Sequence, residues 1–127
     1  MSKPFDELVE IMDRLREPGG CPWDREQNLE TFTPNIQEEL DELVEAIGEG
    51  DPKHICEELG DVIFNLVFVA RLAKEKGWFT MDDALAGIRD KIIRRHPHVF
   101  GEANCETSEE VLAQWDRIKE DERNGLV

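Results

Sequence analysis

Residues 33–77 read TPNIQEELDELVEAIGEGDPKHICEELGDVIFNLVFVARLAKEKG, a stretch with two helix starts, two helix stops and two acidic pairs. Thr33 followed by Pro34 predicts an N-cap with proline at the first helical position. The helix is expected over residues 34–49, with Gly48 and Gly50 ending it. Asp51-Pro52 repeats the start signal, and a longer helix is expected over residues 52–76, with Gly77 as its stop. Ile36, Leu40, Leu43, Val44 and Ile47 make an apolar stripe on the first; Ile55, Leu59, Val62, Leu66 and Ala73 make one on the second. Phe64, Val67 and Phe68 cover the other sides of the second helix too. A helix that is apolar all round must be covered all round, which predicts a central position or a subunit interface and favours a homodimer.

The same punctuation divides the rest of the chain. Pro4 to Arg16 is expected as a helix with Phe5, Leu8, Val9, Met12 and Leu15 on one side, stopped by Pro18-Gly19-Gly20. Cys21 to Thr33 reads as a loop with room for one helical turn. Thr80 with Asp83 resembles a capping box for a helix ending near Arg95, before Pro97. Ser108, or Thr107 with Glu110, caps a last helix over residues 108–123. No strand-like alternation is present. The expected fold is all-α, a four-helix-type bundle with an extra short or peripheral helix, in a single domain over residues 1–127.

Composition limits the function. The chain has 30 acidic and 15 basic residues among 127, a formal charge of −15. That excludes a generic nucleic-acid binder, which needs a basic face, and an anionic membrane surface as partner. It suits a protein that gathers divalent cations, though a solvated acidic surface is the commoner explanation. The most apolar stretch, Val62 to Ala73, is interrupted by Asn65 and Arg71 and falls well short of the ~20 residues of a membrane span. Met1 to Asp13 has no basic segment followed by an apolar run, so no leader is expected and a cytoplasmic location is. Cys21, Cys56 and Cys105 are widely spaced without a Cys-x-x-Cys, which fits reduced thiols, and Cys56 is expected as ordinary packing.

The acidic pairs carry the chemistry. Glu39 with Glu42, and Glu58 with Asp61, are each spaced i, i+3, so each puts two carboxylates on one helix face. With Ile36 at zero and about 100° per residue, the first stripe centres near roughly 15°, and Glu39 and Glu42 fall near roughly 300° and 240°. With Ile55 at zero, Glu58 and Asp61 fall at the same two angles. Both pairs therefore flank their stripes on the same side and can meet in an antiparallel hairpin, with Asn65 one turn beyond Asp61. Solvation and the helix dipole explain one acidic pair. Two pairs in matching phase leave a solvated acidic surface and a cation site as equal readings; the cation reading rests on four converging carboxylates not ionising together cheaply without one. Oxygen ligands in that number suit Mg²⁺ or Mn²⁺. A di-iron centre is disfavoured, since neither pair has a histidine at i+3.

Arg89, Lys91, Arg94, Arg95, His96 and His98 gather near the end of the fourth long helix, where the dipole favours cations. Lys91 and Arg95 fall on or beside its apolar face and need an anion, from the carboxylates or from a phosphate chain. Trp115 and Lys119 repeat the i, i+4 pattern on the last helix, as core and snorkelling stem or as base stack and phosphate contact. Trp23, in a proline-flanked loop, either plugs the core or stacks a base. His96 and His98 have no nucleophile partner at readable spacing.

Taken together, several segments resemble the MazG nucleoside triphosphate pyrophosphohydrolases. They are Cys21-Pro22-Trp23-Asp24 with Glu26-Gln27, the Glu-Glu-x-x-Glu of Glu38 to Glu42, the Glu-x-x-Asp of Glu58 to Asp61, and Arg94-Arg95-His96-Pro97-His98-Val99-Phe100-Gly101. The acidic motif is shared with related all-α pyrophosphatases; the other two segments point to MazG itself. The resemblance covers nearly the whole chain and implies an all-α fold, a homodimer or higher homo-oligomer built through the central helices, and Mg²⁺-dependent cleavage of a nucleoside triphosphate to the monophosphate and pyrophosphate. It implies Glu39, Glu42, Glu58 and Asp61 as metal ligands, with Lys91 and Arg95 as phosphate contacts. Trp115 and Lys119 are weaker correspondences. The chain departs from the pattern at Asn28, where threonine is common, and at Asn65 and Val69, where glutamine and histidine are frequent. Those last two positions bear on base preference, and Glu38 is a candidate for the base that activates water. Many members carry two such domains; this sequence contains one. Two other readings stay open: a pyrophosphatase restricted to one nucleotide (dCTP, dUTP or phosphoribosyl-ATP), and a non-catalytic helical adaptor with an acidic face.

Overall fold

In the computed structural model, residues 3–126 are described, and they form helices connected by turns, with no strand among them. The helices are α1 (Lys3–Arg16), α2 (Pro22–Glu26), α3 (Leu29–Glu49), α4 (Pro52–Glu75), α5 (Met81–Arg95), α6 (Pro97–Phe100) and α7 (Ser108–Arg123). The all-α expectation holds. The chain forms two compact units, Met1–Asp83 and Ala84–Val127.

In the first unit α4 lies between α1 and α3, the central position its apolar surface demands. α3 begins at Leu29, five residues before Pro34. Its cap is Asn28, whose side chain accepts from the Thr31 backbone N–H at 2.9 Å while Thr31 Oγ1 accepts from the Asn28 N–H at 2.9 Å. This reciprocal box satisfies two orphan donors, whereas proline at the first position only removes one, so the earlier start wins. Pro34 is carried inside the helix, and Thr33, the expected cap, returns its hydroxyl to the Leu29 carbonyl at 2.8 Å. α3 ends at Gly50 in the left-handed conformation (φ +75°), which a glycine adopts without steric cost. Asp51 then caps α4 by accepting from the Lys53 N–H at 3.1 Å, and the two helices form a hairpin.

The core of this unit is Met12, Phe32, Val67, Phe68 and Leu72. Phe32 stacks on Phe68 with ring centroids 4.1 Å apart and planes 15° from parallel. Arg16, at the end of α1, sets its guanidinium over the Phe68 ring, pairs with Glu75 on α4, and donates to the carbonyls of Asp24 and Gln27. It thereby fastens the segment that carries α2 to the other two helices. Arg71 pairs with both Asp13 and Glu75. At Gly20 any side chain would meet the Leu15 carbonyl, so the turn into α2 requires glycine.

The apolar stripes are only partly core. Leu40, Val44 and Ile47 on α3 and Leu59 and Leu66 on α4 stay exposed, because α4 turns Val67, Phe68 and Leu72 inward instead. Cys56 is exposed, contrary to the expectation that it packs; all three cysteines are free thiols.

α5 opens with the predicted box, Thr80 N–H to Asp83 Oδ2 at 2.9 Å and Asp83 N–H to Thr80 Oγ1 at 3.2 Å. In the second unit, Pro97 begins the extra helical turn α6. Thr107, the second of the two caps considered, caps α7 by accepting from the Glu110 N–H at 3.2 Å. Arg95 and Arg94 reach from α5 to Glu122 on α7 at 2.9 and 2.7 Å. The Trp115 indole N–H donates to the Arg95 carbonyl at 2.7 Å, and the buried Gln114 lies 2.9 Å from His98 Nδ1.

Two measurements test this account. Phe68 is fully buried and stacked, so Phe68→Ala is expected to cost about 3–5 kcal/mol in urea unfolding. Glu122 titrates at about 2 because Arg95, then Arg94, hydrogen-bond its carboxylate. A carboxyl depressed in the folded state adds stability above its ordinary value and loses it as pH falls. Glu122→Gln is therefore expected to melt below wild type near neutral pH, with the gap closing between about pH 4.5 and 2.

Candidate metal centre

The four carboxylates of the hairpin come from facing turns of α3 and α4. The antiparallel pairing that sets Phe32 against Phe68 also sets Glu39, seven residues on along α3, against Asp61 and Glu58, seven and ten residues back along α4. Glu39, Glu58 and Asp61 each offer one oxygen, and the three oxygens lie within 4.8 Å of one another. Glu39 and Glu58 are half-buried and Asp61 is exposed. Glu42, half-buried one turn from Glu39, adds its charge to the field on both glutamates.

The electrostatics follow from that crowding. Burial, then the charges of Glu42, Asp61 and Glu58, hold the Glu39 carboxyl above its ordinary range. Burial, then Glu42 and Asp61, do the same to Glu58, against a lowering contribution from His54. One oxygen on each, Glu39 Oε2 and Glu58 Oε2, is buried with no hydrogen-bond partner. Such orphans are costly in a folded protein unless a water, an ion or another ligand meets them. Clustered carboxylate oxygens with unmet coordination fit a hard divalent cation.

Two neighbours complete the site. Asn65 is buried; its Nδ2 donates to the Asp61 carbonyl at 2.9 Å, and its Oδ1 has no partner. His54 stands with Nε2 3.2 Å from Glu58 Oε1 and Nδ1 3.5 Å from Glu49 Oε2. Burial opposes a charge on His54, but Glu49 and Glu58 outweigh it and raise its pKa. The sequence reading passed over His54, although its place four residues before Glu58 puts both on one helix face.

The remaining sequence candidates fall into two groups. Glu38 is exposed and outside the clustered three. Trp23 is 49% exposed and meets Phe32 edge-on, with centroids 6.4 Å apart, so it neither fills the core nor stands alone. Lys91, Arg95, Trp115 and Lys119 all belong to the second unit. Lys91 is half-buried and Lys119 exposed. Arg95 shares Glu122 with Arg94, yet its Nε is buried and unpartnered. Trp115 is half-buried, its ring edge-on to His96 at 5.3 Å and its N–H spent on Arg95. Glu122 was not foreseen, since no local spacing links it to arginines 27 and 28 residues away.

The family model of the MazG nucleotide pyrophosphohydrolase domain matches residues 27–100. A nucleoside triphosphate pyrophosphohydrolase of Escherichia coli K12 is 49% identical over 120 residues, 94% of this chain and 46% of that protein. The nucleoside triphosphate pyrophosphohydrolase/pyrophosphatase MazG of Thermotoga maritima is 46% identical over 119 residues, 94% of this chain and 45% of that protein. The chain thus spans about half the length of these curated relatives. The crystal structure of a mazG-related protein from Thermotoga maritima superposes with a TM-score of 0.76 at 31% identity, covering 91% of this chain and 98% of that one. With its acidic hairpin inside the matched segment and its fold shared, this chain belongs to the MazG nucleotide pyrophosphohydrolase domain family.

Proposed function

We propose that the chain hydrolyses nucleoside triphosphates, ribo- or deoxyribo-, to the monophosphate and pyrophosphate, and so clears unwanted nucleotides from the cytoplasmic pool. The observation that carries this is the trio Glu39, Glu58 and Asp61, with two buried carboxylate oxygens left unsatisfied. Glu39, Glu42, Glu58 and Asp61 would hold Mg²⁺, or Mn²⁺, as hard oxygen ligands. When bound, the cation supplies Lewis acidity toward phosphate oxygens. The chain's own groups do the rest. Lys91 and Arg95 offset the charge that builds on the departing pyrophosphate. Glu38 takes a proton from the attacking water. Asn65 offers its free Oδ1 to a donor on the nucleotide, and Trp23 gives a face to the base, with Trp115 and Lys119 as further contacts. The exposed Leu40, Val44, Ile47, Leu59 and Leu66 supply the face through which two copies pair as a homodimer.

Chromatography of products from the eight common NTPs and dNTPs tests the reaction. The expected result is monophosphate plus pyrophosphate with Mg²⁺ and nothing with EDTA. Absence of product from every nucleotide overturns the proposed reaction. Glu58→Gln is expected to lower turnover by about 100-fold or more with helical circular dichroism unchanged; turnover near wild type would falsify the site assignment. The repulsion among the carboxylates adds a second test. In EDTA, Glu39→Gln is expected to melt above wild type. Added Mn²⁺ should reverse the order, since cation bound at 100 times Kd stabilises wild type by about 2.7 kcal/mol. Wild type unmoved by Mn²⁺ would mean the cluster is only an acidic surface.

A further inference from the structure

His54 has no assigned role, and its place is electrostatically odd. It sits in the first turn of α4, after Pro52 and Lys53, where the helix dipole disfavours cations. Stabilising this helix end does not require it, because Asp51 already caps it and Pro52 occupies the first position. What the imidazole does instead is face a carboxylate with each nitrogen: Glu49 Oε2 at 3.5 Å, from the end of α3, and Glu58 Oε1 at 3.2 Å, one turn on along α4. The result is a chain Glu49–His54–Glu58 across the closed end of the hairpin, leading into the acidic cluster.

The consequence falls on Glu58. A glutamate side chain has three rotatable bonds, and its carboxylate in an acidic cluster is driven outward by its neighbours. With Oε1 held at His54 Nε2, that escape is opposed, and Oε2 stays buried without a partner. The side chain of Glu58 is accordingly only 13% exposed, against 51% for Glu49, the other carboxylate that His54 meets. We propose that His54 is a positioning residue for the cation site: its Nε2–H fixes Glu58 so that Oε2 is kept for the metal alongside Glu39 and Asp61. This inference rests on the metal-site reading above and adds to it the residue that orients one ligand. Hydrogen-bonded partners of ligating groups tune affinity in this way in metal sites generally.

The test is Mn²⁺ binding to the full chain, read by calorimetry and by the electron paramagnetic resonance signal of free Mn²⁺, in wild type, His54→Ala, His54→Gln and Glu58→Gln. Glutamine places an amide N–H near the position of Nε2, so it restores the donor without the imidazole. His54→Ala is expected to weaken Mn²⁺ binding by about 10-fold or more, and His54→Gln to recover most of that loss. Circular dichroism shows that each variant folds. In turnover, His54→Ala should need more metal for half-maximal rate while its kcat at saturating metal stays near wild type, a split that loss of folding does not produce. Unchanged Mn²⁺ affinity in His54→Ala overturns the proposal, as does His54→Gln binding as weakly as His54→Ala. Wild type that binds no Mn²⁺ overturns the metal-site reading and this inference with it; where wild type binds and Glu58→Gln does not, unchanged affinity in His54→Ala overturns the role of His54 alone.

Discussion

The stacking of Phe32 on Phe68 sets the register of α3 against α4, and the candidate site depends on that register. The rings lie 4.1 Å apart and both are buried. Seven residues further along each helix, roughly 10 Å at 1.5 Å per residue, the same register brings Glu39 beside Asp61, with Glu58 three residues beyond. A slip of one turn would move a carboxylate roughly 5 Å, more than the whole spread of the three oxygens. The aromatic pair and the guanidinium of Arg16 over it therefore act as the gauge for a polar site two turns away. That division of labour is sensible, because the carboxylates repel and cannot set their own spacing.

The protein treats its acidic residues in two ways. Asp13 and Glu75 are held by Arg71 and Arg16, and Glu122 by Arg94 and Arg95, so each has a permanent cation beside it. Charge-assisted pairs of this kind lower the carboxyl pKa, as Glu75 and Glu122 show through hydrogen bonds from Arg16 and from Arg95 first. The hairpin carboxylates receive the opposite treatment. Burial raises Glu39 and Glu58, and the basic group in contact with Glu58 is a histidine. In a chain with 15 lysines and arginines, the arginines pair with carboxylates elsewhere and leave Glu39 and Glu58 without a permanent counter-charge of that kind.

Helical periodicity and punctuation made most elements legible, since glycine, proline and Thr/Asp caps act within a few residues of themselves. The two acidic pairs were legible for the same reason: i, i+3 spacing and a common angle to the stripe are local facts, and the hairpin then joins them. What escaped was decided by competition or distance. Asn28 with Thr31 outbid Thr33 with Pro34 for the start of α3, because the box satisfies two donors. The same box explains the departure from the family pattern at Asn28: asparagine and threonine are both caps, so the exchange preserves the helix start. Glu122 meets Arg94 and Arg95 across a separation no local pattern encodes. His54 was readable in principle at i−4 from Glu58, but a lone histidine carries no signal until its second partner, Glu49, is seen across the turn. Exposure of Leu40, Val44 and Ile47 was the least readable, since a stripe marks a face that wants cover without saying which chain supplies it.

That uncovered face bears on the chemistry of the cluster. Glu39 and Glu42 lie roughly 75° and 135° around α3 from the centre of the stripe, so whatever covers the stripe ends beside them. In the proposed homodimer, the second copy would wall the cluster on that flank and remove water from it. Lower local dielectric raises the repulsion among unpaired carboxylates and raises the attraction of each for a cation. Association and cation binding would then favour one another, since each removes a cost that the other would otherwise meet alone. Leu59 and Leu66 on α4 are exposed as well, so in the proposed homodimer the carboxylates of both helices would border the covered surface. An acidic site at the margin of an apolar face is thus more demanding of a metal once the face is covered than before.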